Sequence, residues 1–268
     1  MAIWQEHNSV AEFPLAHDRR RVAQIAENRQ LWQADHEAIF TRIEGNLDAN
    51  EIEALRRKFA ALNWTTVNLL GYLSQDTAEH LSLSPADIKP ENDSNAELIE
   101  DIRKRSKWDV LQLDETEQCS AVGEMCVKLH LEDDGPVISS VDPDFVFRGE
   151  DYFDEYARLN NDSRITKFPF VAIPVRMGDD WYVVLEIHEP GVVLYRAYHW
   201  DVDGRNTDSR TFADKGKLSP AAIKPSELLG VEDYETGIDE PTLLIIRNEV
   251  DPRDRRRGKS DYTTDLVK

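Results

Sequence analysis

The sequence predicts an α+β fold in which helices come first and an antiparallel, hairpin-rich sheet follows. Three observations carry this expectation. Apolar residues recur at helical spacing as far as Ala121, the period drops to two from Gly123 onward, and the later apolar runs are joined by short turns. Short turns return a strand antiparallel to its neighbour, whereas parallel strands need long crossover connections.

Residues 1–16, with Pro14 near their end, read as a flexible arm. Ala16 to Gln33 is charged with apolar Val22, Ile25 and Leu31, the pattern of a surface helix. Asp48-Ala-Asn-Glu51 has capping-box spacing, and Ile52, Leu55, Phe59, Leu62, Val67 and Leu70 continue at helical intervals. One long helix is expected there, stopped by Gly71 and the polar run from Ser74 to Asp76. Pro85 and Pro90 bracket a loop, and Ser94-Asn-Ala-Glu97 is a second capping box that opens a helix with Leu98, Ile99 and Ile102 on one face. A third helix spans Trp108 to Ala121.

Beyond Gly123, Met125, Val127, Leu129 and Leu131 alternate with Cys126, Lys128 and His130. Asp133-Asp-Gly135 then turns the chain into Val137 and Ile138, a hairpin signal. Phe168 to Val175, Trp181 to Ile187, Val192 to His199 and Leu243 to Ile246 are rich in β-branched and aromatic residues, as strands are. Gly178-Asp-Asp180 and Glu189-Pro-Gly191 supply turns between them. The polar stretch from Asp201 to Glu240 reads as an extended loop with one helical turn near Pro225 to Leu229. The organisation expected is a single body over residues 17–250, helical to 122 and strand-rich from 123, followed by a connector over 251–268.

Forty per cent hydrophobic residues, with six Trp, nine Phe and eight Tyr in 268 residues, are enough to build a core. Fifty-two acidic against 32 basic residues give a formal charge of −20, which opposes charge-driven gripping of phosphate backbones. Such a charge suits equally a soluble domain and a wall past which DNA slides. Cys119 and Cys126, with no second thiol at metal-ligand spacing, read as buried thiols in a reducing compartment. No run of about 18 apolar residues occurs, so no membrane span is expected.

Motifs of catalysis are sparse. Asp201-Val-Asp203-Gly204-Arg-Asn206-Thr-Asp208 alternates oxygen ligands as calcium loops do, but the closing Glu is out of register, and a hairpin turn using Asp-Gly explains the same residues. Histidines 130, 188 and 199 sit in strands beside apolar neighbours, where packing is commoner than base catalysis. No nucleophile elbow, phosphate-binding Gly loop or dinucleotide motif is present, so no catalytic, metal or cofactor-binding residue is assigned.

At the C-terminal end an apolar strand reaching Asn248 runs through a charged connector into Gly258-Lys-Ser-Asp261. Gly258 allows a turn, and Ser260 or Asp261 can cap the helix that follows. This element resembles the Gly-x-Ser-Asp element of siphophage-type portal proteins, the head–tail connectors. Four further places keep the same order. They are Asn28-Arg29 with Trp32; Leu62-Asn63-Trp64 leading to Gly71-Tyr72-Leu73; Gly123 to Lys128, leading through Asp134-Gly135 to Asp142-Pro143; and the paired runs Val183–His188 and Gly191–Tyr195. Together they span most of the chain.

The resemblance implies a wing-like α+β body from a subunit of a ring, typically of twelve copies. In that family the ring conducts double-stranded DNA without reading its sequence, engages capsid, terminase and tail-adaptor proteins, and catalyses nothing itself. It implies a place in the virion or the host cytoplasm, and structural roles for Asn63, Gly123, Asp142, Pro143, Asn248, Gly258, Ser260 and Asp261. The chain ends at Lys268, seven residues past Asp261, so on this reading it is the front of a longer protein, a truncated or split portal, or a prophage remnant. Arg255, Arg256 and Arg257 form a basic cluster that reads either as a solvated connector or as a head-to-tail contact with an acidic neighbour. Two other classes stand beside the portal reading: an acidic protein-interaction module, and a small hydrolase using carboxylate or metal chemistry.

Overall fold

Phe13 shows how this sequence makes its core. It lies on a three-residue strand, β1 (Ala11–Phe13), and its ring is wholly buried. In this computed structural model, residues 11–33, 35, 45, 47–60, 68–82, 95–132, 134–152, 168–202, 211–248 and 260 are described. Contacts divide the chain into two compact units that interleave in sequence, whereas the sequence reading anticipates one body over 17–250. The first takes in residues 1–23, 86–111 and 125–246; the second takes in 24–85, 112–124 and 247–268.

The first unit is built on two antiparallel sheets. Its larger sheet runs β1, β8 (Gly216–Pro220), β7 (Val192–Val202), β6 (Asp180–Glu189), β5 (Phe170–Met177) and β4 (Val146–Phe147), with β9 (Tyr234–Glu235) paired to β7. The smaller sheet runs β10 (Leu243–Arg247), β2 (Glu124–Glu132) and β3 (Gly135–Val141). The meander β5-β6-β7 and the β2-β3 hairpin fall where alternation and turn chemistry place them.

Alternation in the large sheet buries both faces. Phe170, Val183, Leu185, Ile187, Tyr198 and Trp200 join Phe13, Phe147, Tyr152 and Phe212 in one aromatic core. Residues one step out of phase, Val171 and Ile173, pack instead with Cys126, Val146 and Leu243 in a second cluster. Cys126, not its apolar neighbours Met125 and Val127, therefore faces the core from β2. Cys119 and Cys126 are both buried free thiols.

Helix α1 (Ala16–Trp32) enters the first unit through a polar knot. Asp18 accepts a 2.6 Å hydrogen bond from the Tyr152 hydroxyl, and Arg21 donates to the carbonyls of Pro143 (3.0 Å) and Val146 (2.6 Å) while lying over the Phe147 ring. Helix α4 (Ala96–Arg105) packs on β3, whose Ile138 amide donates to Ser106 Oγ at 2.8 Å.

The second unit holds the later part of α1, helices α2 (Ala49–Ala60) and α3 (Leu69–Ser82), and the later part of α5 (Trp108–Val122). Ile25, Leu31, Ala121 and Val122 form its buried cluster with Trp32 alongside, and the Trp32 indole donates to Glu117 at 2.9 Å. The capping box of α2 forms as expected: Glu51 N donates to Asp48 Oδ1 and Asp48 N to Glu51 Oε2, both at 2.9 Å.

Three sequence expectations are corrected. Residues 11–13 are not part of a flexible arm, because their backbone pairs with β8 and Phe13 fills the core. The polar 201–240 stretch contributes β8 and β9 besides the short helix α6 (Pro225–Leu229); Leu218 is the one buried apolar side chain of β8. The second capping box rests on Ser94, which lies outside the described residues; the residue before α4 is Asn95, whose side chain makes no cap hydrogen bond.

The third correction concerns Gly71, which does not stop a helix but sits in the first turn of α3. Asn68 caps that turn by accepting from the Gly71 amide at 2.9 Å, and its Nδ2 donates to the Trp32 carbonyl at 2.7 Å. A Cβ on residue 71 would fall 2.3 Å from Asn68 Nδ2. Gly71→Ala, which ordinarily stabilises a helix by about 1 kcal/mol, is therefore expected to destabilise this one by about 1 kcal/mol through loss of the cap. Urea unfolding of the pair checks it, and a stabilised variant would remove this account of Gly71.

Candidate functional site

Three residues carried by the resemblance, far apart in sequence, meet in the second unit. Helix α5 ends at Gly123, whose φ of 95° is unfavourable for any residue with a side chain and whose amide donates to the Cys119 carbonyl at 2.8 Å. The Gly123 carbonyl then accepts from the amide of Asn248, just past β10, at 3.0 Å. Ser260 is buried and donates through Oγ to the Ala121 carbonyl. The helix-to-strand turn, the strand exit and Ser260 thus share one junction, and the Ser260 hydroxyl satisfies a carbonyl of the last turn of α5. Sequence reading assigns Ser260 to capping a following helix; here its hydroxyl serves the end of an earlier one.

Asp142 and Pro143 have a local role in the first unit. Asp142 Oδ1 accepts from the Asp144 amide at 3.1 Å, Pro143 begins the 3₁₀ turn Pro143–Phe145, and the Pro143 carbonyl receives Arg21. Asn28 is buried on α1, and the runs Val183–His188 and Gly191–Tyr195 fall on β6 and β7. Asn63, Gly258 and Asp261 lie outside the described residues, as do Arg255, Arg256, Arg257 and the calcium-like loop from Asp203 to Asp208.

A second constellation was not legible in the sequence. On the β6 face opposite the aromatic core, Glu186 stands between Val171 and Tyr195 on the neighbouring strands. Lys128 from β2 places Nζ 2.9 Å from both carboxylate oxygens, and His188 Nδ1 lies 2.7 Å from Thr242 Oγ1. His188 Nε2 is 3.3 Å from Glu186 Oε1 but out of line for a hydrogen bond. Burial alone would push the Glu186 carboxyl up. Contact with His188 and the charge and hydrogen bonds of Lys128 outweigh it and hold the group at about 2. Burial and the Glu186 charge raise the Tyr195 and Tyr234 hydroxyls above their ordinary value, so both remain donors.

A hydroxyl, an imidazole and a carboxylate in series can in principle activate a nucleophile. The adjoining cavity, lined by Leu129, His130, Tyr234 and Thr242, measures about 60 Å³. That is space for a few waters, against the roughly 300 Å³ or more of small-molecule sites. The network acts as a buried polar clamp between the two sheets. Among the described residues no group of three or more His, Cys, Asp or Glu side chains is arranged to hold a metal ion, and no helix is long and apolar enough to cross a membrane.

No family model matches the sequence, and no curated protein matches it.

Proposed function

We propose that this chain is the wing-like portion of a portal-type ring subunit, forming or derived from the ring at a capsid vertex through which DNA is packaged and ejected. The observation that supports this reading is the shared junction of Gly123, Asn248 and Ser260. Residues picked out separately by the resemblance, 125 and 12 positions apart, serve one structural purpose, which is to fix where the chain leaves the sheet for the next element. The ordered set of motifs and the α+β body agree with that role.

On this proposal the protein performs no chemistry of its own. Its partners are further copies of itself, capsid, terminase and tail-adaptor proteins, and DNA sliding past an acidic wall of formal charge −20. Its setting is the virion and the host cytoplasm.

The test begins with the source DNA downstream of the Lys268 codon, followed by purification of the whole gene product it encodes. A further long helical segment downstream and closed rings, of on the order of twelve copies, in electron-microscopic class averages are the expected result. Unrelated downstream sequence and a protein that remains monomeric at all concentrations would transfer the assignment to an acidic protein-interaction module.

A further inference from the structure

Arg103-Lys104-Arg105-Ser106-Lys107 places four cations in five residues of a chain with 20 more acids than bases. They lie at the corner between α4 and α5, where a cleft of about 230 Å³ is lined by three cations, Arg103, Lys104 and Lys107, two acids, Glu100 and Asp109, and by Trp108 and Val110. The residues already present leave this cleft incomplete. Arg103 pairs with Glu100 and Asp109, and Lys104 with Glu100, through single contacts of 3.4 to 3.6 Å. Among the described residues Lys107, which is exposed, has no such partner, and the shielded Arg103 Nε and Trp108 indole nitrogen find no acceptor. Lys104 remains 73% exposed and Val110 57% exposed, so the cleft also presents an uncovered cation and an apolar wall.

The exposed Lys104 and Lys107 ammonium groups call for an acceptor-only, negatively charged group, and a carboxylate is one. The same chain carries a matching surface. From Glu232 to Glu240 there are five acids, Glu232, Asp233, Glu235, Asp239 and Glu240, all exposed, and no cation; Asp233 pairs with Arg196 at 2.9 Å, which leaves the other four to the partner. Ile238 within this segment is 37% exposed, an apolar residue to set against Trp108 and Val110. A ring of identical subunits needs two different complementary patches on each copy, joined head to tail. We propose that the α4–α5 cleft receives the acidic 232–240 segment of a second copy of this chain. Trp and Arg in a cleft rimmed by charge form the composition of an interface centre, with the charges setting register and partner choice. This inference rests on the ring-subunit reading and names its contact.

The experiment compares the whole gene product with two charge-reversed forms and their combination, by native mass measurement across protein concentration. Lys104→Glu with Lys107→Glu and Asp239→Lys with Glu240→Lys change exposed side chains, and circular dichroism verifies that each form is folded. Either pair alone is expected to weaken self-association by about tenfold or more, and the four changes together to restore it. Assembly of the wild type with no loss in either pair overturns the cleft contact and leaves the ring reading standing. Loss in both pairs without restoration in the combination also overturns it, because the patches then face something other than each other. A wild type that never assembles removes the ring reading and this contact together.

Discussion

Replacing Phe13 by Ala is expected to lower stability by about 3 to 5 kcal/mol and the melting temperature by on the order of 10 °C. The ring is fully buried, with centroids 5.2 Å from Phe147, 5.4 Å from Phe212, 5.7 Å from Tyr152 and 6.4 Å from Trp200. Truncation therefore leaves a cavity walled by four aromatic groups, and aromatic rings cannot easily collapse into such a space. The short strand that carries Phe13 also covers the free edge of β8, through the register Ala11 to Leu218 and Phe13 to Gly216. Thermal and urea unfolding, followed through the buried Trp200, measure the effect. A Phe13→Ala protein as stable as wild type would return residues 11–13 to the status of a loose arm.

Lys128→Met is expected to cost about 3 to 5 kcal/mol near neutral pH, because it strands the Glu186 carboxylate in a buried position. The double change Lys128→Met with Glu186→Gln is expected to recover much of that loss, since no uncompensated charge is then left inside. Acid provides an independent check. The Glu186 carboxyl is lowered from 4.5 to about 2, so its stabilisation is complete above pH 4.5 and drains away as pH falls toward 2. Over that window the wild type is expected to lose roughly 3 kcal/mol from this one group. In Lys128→Met the slope should flatten, because burial is then opposed by His188 without the charge and hydrogen bonds of Lys128. Parallel acid profiles for the two proteins would show that Lys128 does not hold the carboxylate ionised.

The features legible in the sequence were those whose cause is local. The alternation from Met125 to Leu131, with Asp134-Gly135 turning the chain, was enough to place the β2-β3 hairpin. The capping pair Asp48 and Glu51 was enough to start α2, and β-branched runs between Gly turns located β5, β6 and β7. What escaped depends on distant partners. Strand β1 is too short to show a period, and β8 offers little apolar signal beyond Leu218; β1 exists because β8 supplies its hydrogen bonds, and β8 because β7 and β1 supply its own. Gly71 was misread because a glycine next to a helical pattern usually marks an end, while Asn68 three residues earlier turns the same glycine into a beginning. Lys128 and Glu186, 58 residues apart, carry no pattern that links them. The site residues show the same division. The local turn at Asp142-Pro143 could be anticipated, whereas the bond between Ser260 and the end of α5 spans 139 residues.

The boundary between the two units has a consequence for how such a protein can change over time. It is crossed at 85/86 and, within elements, at 23/24 in α1, 111/112 in α5, 124/125 in β2 and 246/247 in β10. No contiguous stretch of gene encodes either unit. A recombination event that imported residues 125–246 would bring most of the sheet strands without β1, and one that imported 24–85 would leave α1 divided between two ancestries. Exchange of either unit as a whole would take several crossovers at once, each inside or beside an element that the other unit shares.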